Sequence, residues 1–148
     1  MFTITSSAFA HNASIPPRYT CQGDDVNPPL SFQGVPSGAA SLALIMDDPD
    51  APGGTWDHWA VWNIYPAQAE IRENTVPAGA VQGRNGRGRN AYGGPCPPSG
   101  THRYFFRAYA LTKNLSLAPG SSKQDLLAAM QGSILAEAEL IGLYKQTK

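Results

Sequence analysis

The sequence carries few charges, and the two signs balance. Among 148 residues there are eleven Lys or Arg and eleven Asp or Glu, so the formal net charge is zero and only 15% of residues are charged. Proteins that bind nucleic acid or an anionic membrane surface present clustered Lys and Arg side chains. No Lys/Arg-rich segment indicates such a face here, and we expect neither kind of partner.

Cysteines and long apolar runs are equally scarce. Cys21 and Cys96 are the only two cysteines, which is no disulfide framework, and we expect two reduced thiols by default. Their spacing does not decide whether they approach each other. No apolar run approaches the roughly 18 residues that span a bilayer. The first residues also lack a charged segment followed by an apolar one, so we expect a soluble, cytoplasmic protein.

Glycine and proline, by contrast, are abundant. The chain has fifteen glycines and thirteen prolines, well above their usual joint share of about 12%. This composition favours strands joined by shaped loops over a helical bundle. The length suits one domain with its own core, and nothing repeats or shifts in composition, so we predict a single domain over residues 1–148.

Four segments have the pattern of β-strands. They read "MFTITS", "SLALIMDD", "DHWAVWNIY" and "HRYFFRAYAL". Alternation in the third segment predicts His58, Ala60, Trp62 and Ile64 on one face and Trp59 on the other. We expect both tryptophans in the core. Residues 81–94 are interpreted as a glycine-rich loop, whose part "GRNGRGRN" is more typical of a flexible exposed segment than of a phosphate clamp.

The last part of the chain, from Ser121 onwards, predicts an amphipathic helix. Apolar residues recur there at spacings of three and four, namely Leu127, Met130, Ile134, Ala138 and Ile141. Ser122 with Asp125 resembles a capping box, although Ser121 with Gln124 would also serve. We expect this helix to pack on the sheet, although Gly132 weakens its middle.

Three ionisable side chains lie at the ends of predicted strands. Asp48 ends "SLALIMDD", His58 lies near the start of the next strand, and His102 opens the long strand after a Pro-Pro corner. If these ends lie side by side, they form one pocket rim. Two imidazoles, with backbone N–H groups of Gly93 and Gly94 nearby, suit an anion. Asp48 would orient a histidine and favour its charged form.

Other interpretations of these residues stay open. A histidine at a strand end is often an ordinary solvent-facing residue. The same groups could serve a hydrolase or lyase, with Asp48 and either His58 or His102 as acid and base, or with Cys96 as nucleophile. No nucleophile-elbow pattern surrounds Cys96. Asp48, His58 and His102 could also hold a metal ion.

The motifs "DPDAP", "WDH" and "GGPCPPSGTHRYFF" together resemble the two signature regions of the phosphatidylethanolamine-binding protein family, which includes Raf kinase inhibitor protein. The segment "YTCQGDDVNPPLSF" is similar to its bacterial and archaeal branch. The resemblance runs from Phe2 to Tyr144. It implies a mainly β fold, with antiparallel Greek-key strands in two sheets and peripheral helices, including the one near the C-terminus.

The resemblance also implies a site and a function. Its pocket positions fall on Asp48, Ala51, Pro52, Trp56, His58, Gly94, Pro98, His102 and Tyr104. It suggests a cis peptide bond at Ala51–Pro52, while "GGT" at 53–55 is shorter than in animal members and lacks an aromatic residue. The implied function is non-enzymatic binding of phosphate, phosphorylated ligands or phospholipid headgroups, without a cofactor or a metal. Inhibition of a kinase or serine protease, and a homodimer, are further expectations.

Overall fold

Most of the chain forms β-strands in the computed structural model, which describes residues 1–68 and 70–147. Ala69 and Lys148, part of the domain predicted for residues 1–148, lie outside the described residues. The strands are β1 (Thr3–Thr5), β2 (Ala13–Ser14), β3 (Leu30–Gln33), β4 (Ser41–Asp48), β5 (Trp56–Ile64), β6 (Glu70–Ile71), β7 (Val81–Gln82), β8 (His102–Leu111) and β9 (Ile134–Tyr144). One α-helix, α1, covers Lys123–Met130, and a short 3-10 turn covers Pro17–Tyr19.

The strands form two sheets. The larger has the order β2-β9-β8-β4-β5-β7, and the smaller has the order β1-β3-β6. Within the larger sheet, the order β8-β4-β5-β7 is a Greek key, because the chain leaves β7 and returns as β8 on the other side of β4. The predicted mainly β, two-sheet fold is therefore confirmed. One pair departs from the antiparallel expectation, since β2 runs parallel to β9.

The larger sheet has a core on each face. One face packs against the smaller sheet, and its core includes Phe32, Phe106 and Trp59. The other face packs against α1, and its core includes Trp62 and Leu126. Strand β4 lies near the centre of the sheet, and all eight of its residues are buried. Both tryptophans are in the core, as predicted.

Strand β5 does not alternate as predicted. Trp59, Val61 and Ile64 all belong to the first core, whereas Ala60 and Trp62 belong to the second. The pairing of β5 with β4 shifts register twice, and each shift adds one residue to β5. Such β-bulges reverse the side-chain alternation, which explains why Ile64 lies on the face of Trp59.

The predicted C-terminal helix is correct only in its first two turns. The capping box of Ser122 and Asp125 is present, but the helix ends at Met130 and the rest of the segment forms β9. Within the helix, Leu126 and Met130 are fully buried, while Leu127 is 40% exposed. Of the predicted apolar face, Met130 is buried as expected, whereas Leu127 is partly exposed and Ile134, Ala138 and Ile141 lie outside the helix.

Pairing with β8 explains why the segment after Met130 becomes a strand. Every residue of β8 has a partner in β9, from His102 opposite Tyr144 to Leu111 opposite Ile134. The side chains of β9 that reach the first core lie at every second position, namely Ala136, Ala138, Leu140 and Tyr144. The spacings of three and four between Leu127 and Ile141 resemble the period of a helix. Pairing with β8, which is distant in sequence, decides the conformation instead.

No helix among residues 1–68 and 70–147 is long and apolar enough to cross a membrane.

We predict that Met130→Ala lowers the free energy of unfolding by about 2–5 kcal/mol, because it leaves a cavity under α1. Leu127→Ala is the matched control in the same helix, and its partly exposed side chain predicts a loss below about 1 kcal/mol. Urea denaturation of both variants measures the difference. Equal losses would show that α1 does not pack through Met130.

Candidate ligand-binding site

A buried hydrogen bond joins the ends of β4 and β8. His102 Nδ1 lies 2.7 Å from Asp48 Oδ2, and the two residues are only 7% and 3% exposed. Because a carboxylate can only accept, the imidazole donates through Nδ1. The other carboxylate oxygen accepts the backbone N–H of Asp50 at 2.8 Å. Asp48 is thus held on both oxygens, and it orients the His102 ring.

Asp50 ties the loop after β4 to the start of β8. Its carboxylate accepts three hydrogen bonds from Arg103: from the backbone N–H at 2.9 Å, from Nε at 3.0 Å and from a terminal nitrogen at 2.9 Å. Hydrogen bonding to the Arg103 side chain is the main reason that the pKa of Asp50 is lowered to about 2. The loop that carries Ala51 and Pro52 is therefore anchored next to His102.

His58 lies at a β-bulge. Met46 of β4 is opposite Trp59, and the next residue along β4 is opposite Asp57, so His58 is the extra residue. Its Nδ1 donates to the carbonyl oxygen of Gly93 at 2.7 Å. Burial lowers the pKa of His58, which favours the neutral ring. A neutral ring that donates through Nδ1 leaves Nε2 as an acceptor.

Tyr104 lies beside both histidines. Its ring contacts His58 edge-on, with 5.3 Å between centroids, and stacks near His102 at 6.4 Å. Its hydroxyl is buried and makes no hydrogen bond to the described part of the chain. Burial, followed by the nearby carboxylates of Asp48 and Asp50, raises the pKa of Tyr104 well above its usual value. The hydroxyl therefore stays protonated and can donate to a ligand.

These groups line one pocket of about 330 Å³. Eight of the nine predicted site residues contribute to it: Asp48, Ala51, Pro52, Trp56, His58, Pro98, His102 and Tyr104. Arg87, Cys96 and Pro97 also line it, although sequence reasoning did not select them as binding residues. The floor is buried and polar, while Trp56 at the rim is 42% exposed. Such a mixture is usual for small-ligand sites.

Gly94 is the predicted site residue that does not line the pocket. Its N–H donates to Asp25 Oδ1 at 2.8 Å, and the N–H of Gly93 donates to the His58 carbonyl at 3.0 Å. The predicted anion contacts from these two N–H groups are therefore wrong, since both groups bond within the protein. A Cβ on Gly94 would collide with the carbonyl oxygen of Tyr19. Glycine is needed there so that two loops can approach each other.

The close contact between these two loops also brings the two cysteines together. Cys21 and Cys96 form a disulfide bond, with Cα atoms 5.5 Å apart, and the Cys21 N–H donates to the Pro95 carbonyl at 3.1 Å. The expectation of two reduced thiols was wrong, because loops 75 residues apart in sequence lie side by side. A disulfide sulfur is not a thiolate, so Cys96 cannot serve as a nucleophile in this state.

The structure also differs from the expected cis peptide bond and bears on the alternative of a metal site. The peptide bond at Ala51–Pro52 is trans, since residues 1–68 and 70–147 contain no cis peptide bond. Within the same described ranges, no three His, Cys, Asp or Glu side chains are grouped as metal ligands. Asp48 instead bonds His102 directly, and His58 turns its Nδ1 to a carbonyl oxygen.

The loop that carries Arg87 is built around a buried side chain. Asn85 Oδ1 accepts the backbone N–H groups of Arg87 at 2.9 Å and Arg89 at 3.1 Å. Its Nδ2 donates to the Ala91 carbonyl at 2.9 Å. Most of residues 83–90 are exposed, as predicted, and the Asn85 side chain gives this segment a defined turn, because asparagine side chains that bond nearby backbone groups define turns. Asn85, a residue type that forms such turns, was therefore the sequence signal that could have indicated a fixed position for the Arg87 backbone.

Comparison with known proteins identifies the family. A model of the family named phosphatidylethanolamine-binding protein matches residues 5–145. The chain belongs to this family. A UPF0098 protein of Methanothermobacter thermautotrophicus is 53% identical over 148 residues, which cover 97% of this chain and 98% of the relative. A UPF0098 protein of Chlamydia muridarum is 48% identical over 148 residues, with 97% and 98% coverage.

Solved structures of family members share the fold. A phosphatidylethanolamine-binding protein homologue from Chlamydia trachomatis has a TM-score of 0.95 and 46% identity, covering 99% of this chain and 98% of its own. YbcL of Escherichia coli, a member of the mammalian family, has a TM-score of 0.92 and 31% identity, with 99% coverage of both chains. The family and its bacterial and archaeal branch are therefore as predicted from the sequence motifs.

We predict that the purified protein, unfolded without reductant, shows no free thiol in a thiol titration, and that reduction exposes both. The reason is the bond between Cys21 and Cys96. The Cys21→Ser variant is the control, since it should release one free thiol at Cys96. Two free thiols before reduction, in protein purified under air, would contradict the disulfide.

Proposed function

We propose that this protein is a non-enzymatic binding protein whose pocket holds the phosphate group of a phosphorylated small molecule or a phospholipid headgroup. The observation that carries the proposal is the buried hydrogen bond between Asp48 and His102. It occupies Nδ1 of His102 and leaves Nε2 without a bonding partner among the described residues. In the imidazolium form, Nε2 donates to an anion while Nδ1 donates to the carboxylate.

The other polar groups of the pocket suit the same ligand. The Tyr104 hydroxyl is a donor without a protein partner, and a buried unpaired donor is a common mark of a ligand site. His58 Nε2 is an acceptor, which can bind the proton of a hydrogen phosphate. Charge-assisted bonds from His102 would be about twice as strong as neutral ones. The pocket thus offers both donors and an acceptor to a phosphate group.

The geometry favours binding over catalysis. Cys96 is in a disulfide, and no serine or threonine of the described ranges is hydrogen-bonded to the Asp48–His102 pair. Covalent catalysis needs a nucleophile within hydrogen-bond reach of the base. Sustained hydrolysis of an ester or phosphoester panel, abolished by Asp48→Asn, would contradict the binding proposal and support the hydrolase alternative.

The proposal does not extend to inhibition of a kinase or a serine protease. No feature of the described residues identifies a reactive loop or a partner-specific surface. It does not extend to a cytoplasmic location either, because a disulfide such as Cys21–Cys96 is more typical of oxidising compartments.

We predict that the parent protein binds dimethyl phosphate and that His102→Gln weakens this binding about tenfold, because the variant loses the imidazole donor that Asp48 orients toward the ligand. Asp48→Ala should also weaken binding, because the ring then loses the acceptor that orients it. Isothermal titration calorimetry of the three proteins at one pH measures both effects.

A histidine outside the pocket supplies the control. His11→Gln should bind dimethyl phosphate as tightly as the parent protein does. No binding by the parent protein, or parent-like binding by His102→Gln, would overturn the proposal. Sedimentation with phosphatidylglycerol vesicles, whose headgroup carries no ammonium group, then separates a lipid-borne phosphate from a soluble one, because retention that His102→Gln abolishes reports a lipid headgroup in the pocket.

A further inference from the structure

We infer that Arg87 makes the pocket select phosphate esters that carry a second anionic group on a short arm, and reject esters whose arm carries an ammonium group. The inference rests on the proposed function, because it assumes that a phosphate occupies the floor of the pocket. It concerns the part of the ligand that leaves this floor and passes the rim, where Arg87 and Trp56 lie.

Arg87 is placed at the rim by its loop. The Asn85 side chain accepts the Arg87 backbone N–H, and the Gly88 N–H donates to the Asn85 carbonyl at 2.9 Å. Gly86 binds the Asp57 carbonyl through its own N–H at 2.8 Å, which joins the loop to β5. A Cβ on Gly86 would lie 2.5 Å from the Trp56 ring. The loop backbone therefore packs directly on Trp56, and it fixes where the Arg87 side chain begins.

The charge of Arg87 is not neutralised by the protein. Arg87 forms no ion pair with residues 1–68 or 70–147. The two carboxylates nearest the pocket are already engaged, Asp48 by His102 and Asp50 by Arg103. After burial, the positive charge of Arg87 also contributes to lowering the pKa of His58. The rim of the pocket is therefore positive.

The depth of the pocket separates the two ends of a ligand. His102 and Tyr104 are buried, whereas Trp56 is 42% exposed and Arg87 is exposed. A phosphate held by the buried donors directs its ester arm out past Arg87. A guanidinium binds a carboxylate or phosphate with two parallel hydrogen bonds, and it repels an ammonium group. The indole of Trp56 attracts cations only weakly at an exposed site, and one part of it is covered by Gly86.

The experiment uses three phosphate monoesters with matched two-carbon arms. Phosphoglycolate ends in a carboxylate, ethyl phosphate in a methyl group and phosphoethanolamine in an ammonium group. We expect phosphoglycolate to bind most tightly and phosphoethanolamine most weakly, with steps of about threefold to fivefold, as for partly exposed ion pairs. Calorimetric titration of the parent protein at one pH and a fixed low ionic strength measures the order.

Variants of the loop assign the order to Arg87. Arg87→Ala should bring the three affinities together, and Arg87→Glu should reverse the order, so that phosphoethanolamine binds more tightly than phosphoglycolate. Arg89→Ala is the matched control, because it removes a positive charge from the same loop and Arg89 does not line the pocket. It should keep the parent order.

The outcomes distinguish this inference from the proposed function. If ethyl phosphate binds through His102 but the order is unchanged in Arg87→Glu, the inference about Arg87 fails and the phosphate pocket stands. If neither ethyl phosphate nor inorganic phosphate binds the parent protein, both fail. If Arg89→Ala changes the order of the three affinities as much as Arg87→Ala does, the inference about Arg87 also fails. The order would then depend on the net charge of the loop and not on the position of Arg87.

Discussion

The bond between Asp48 and His102 is the interaction on which the site depends. It joins the last residue of β4 to the first residue of β8, two strands that are neighbours in the larger sheet. Removing one partner of a buried hydrogen bond typically costs about 1–3 kcal/mol, and more where the remaining group is charged, because that group is left unpaired. The pair therefore constrains both the sheet and the pocket. The same hydrogen bond holds the end of β4 against the start of β8 and orients the His102 ring toward a ligand.

The loop between β7 and β8 completes the pocket, and it depends on two close approaches that glycine permits. At Gly94 the loop after β7 meets the segment that carries Tyr19, and there the disulfide and the wall at Pro97 and Pro98 are formed. At Gly86 the same loop lies flat on Trp56. The Pro-Pro corner is thus held from outside by Cys21, and it leads directly into the strand that starts at His102.

Charge in this small site is arranged by depth. The floor combines a neutral His58, a protonated Tyr104 and the hydrogen bond between His102 and Asp48, so it offers both donors and acceptors to a ligand. The rim has an arginine without an ion-pair partner in the described ranges. Charges near water are screened by salt much more than buried charges. The floor of the pocket would therefore bind the phosphate group of a ligand, and the rim would discriminate between ligands by the charge of their arm.

The sequence by itself determined the β4 and β8 strands, the start of a helix at Ser121 or Ser122 and the family, because these depend on local patterns and compact motifs. It also indicated the ionisable groups at the strand ends. Only the tertiary structure decided that residues 134–144 form a strand, that Cys21 meets Cys96 and that Arg87 reaches the pocket. Each of these depends on a partner distant in the chain or on the packing of a loop, and no local period or spacing records such a contact.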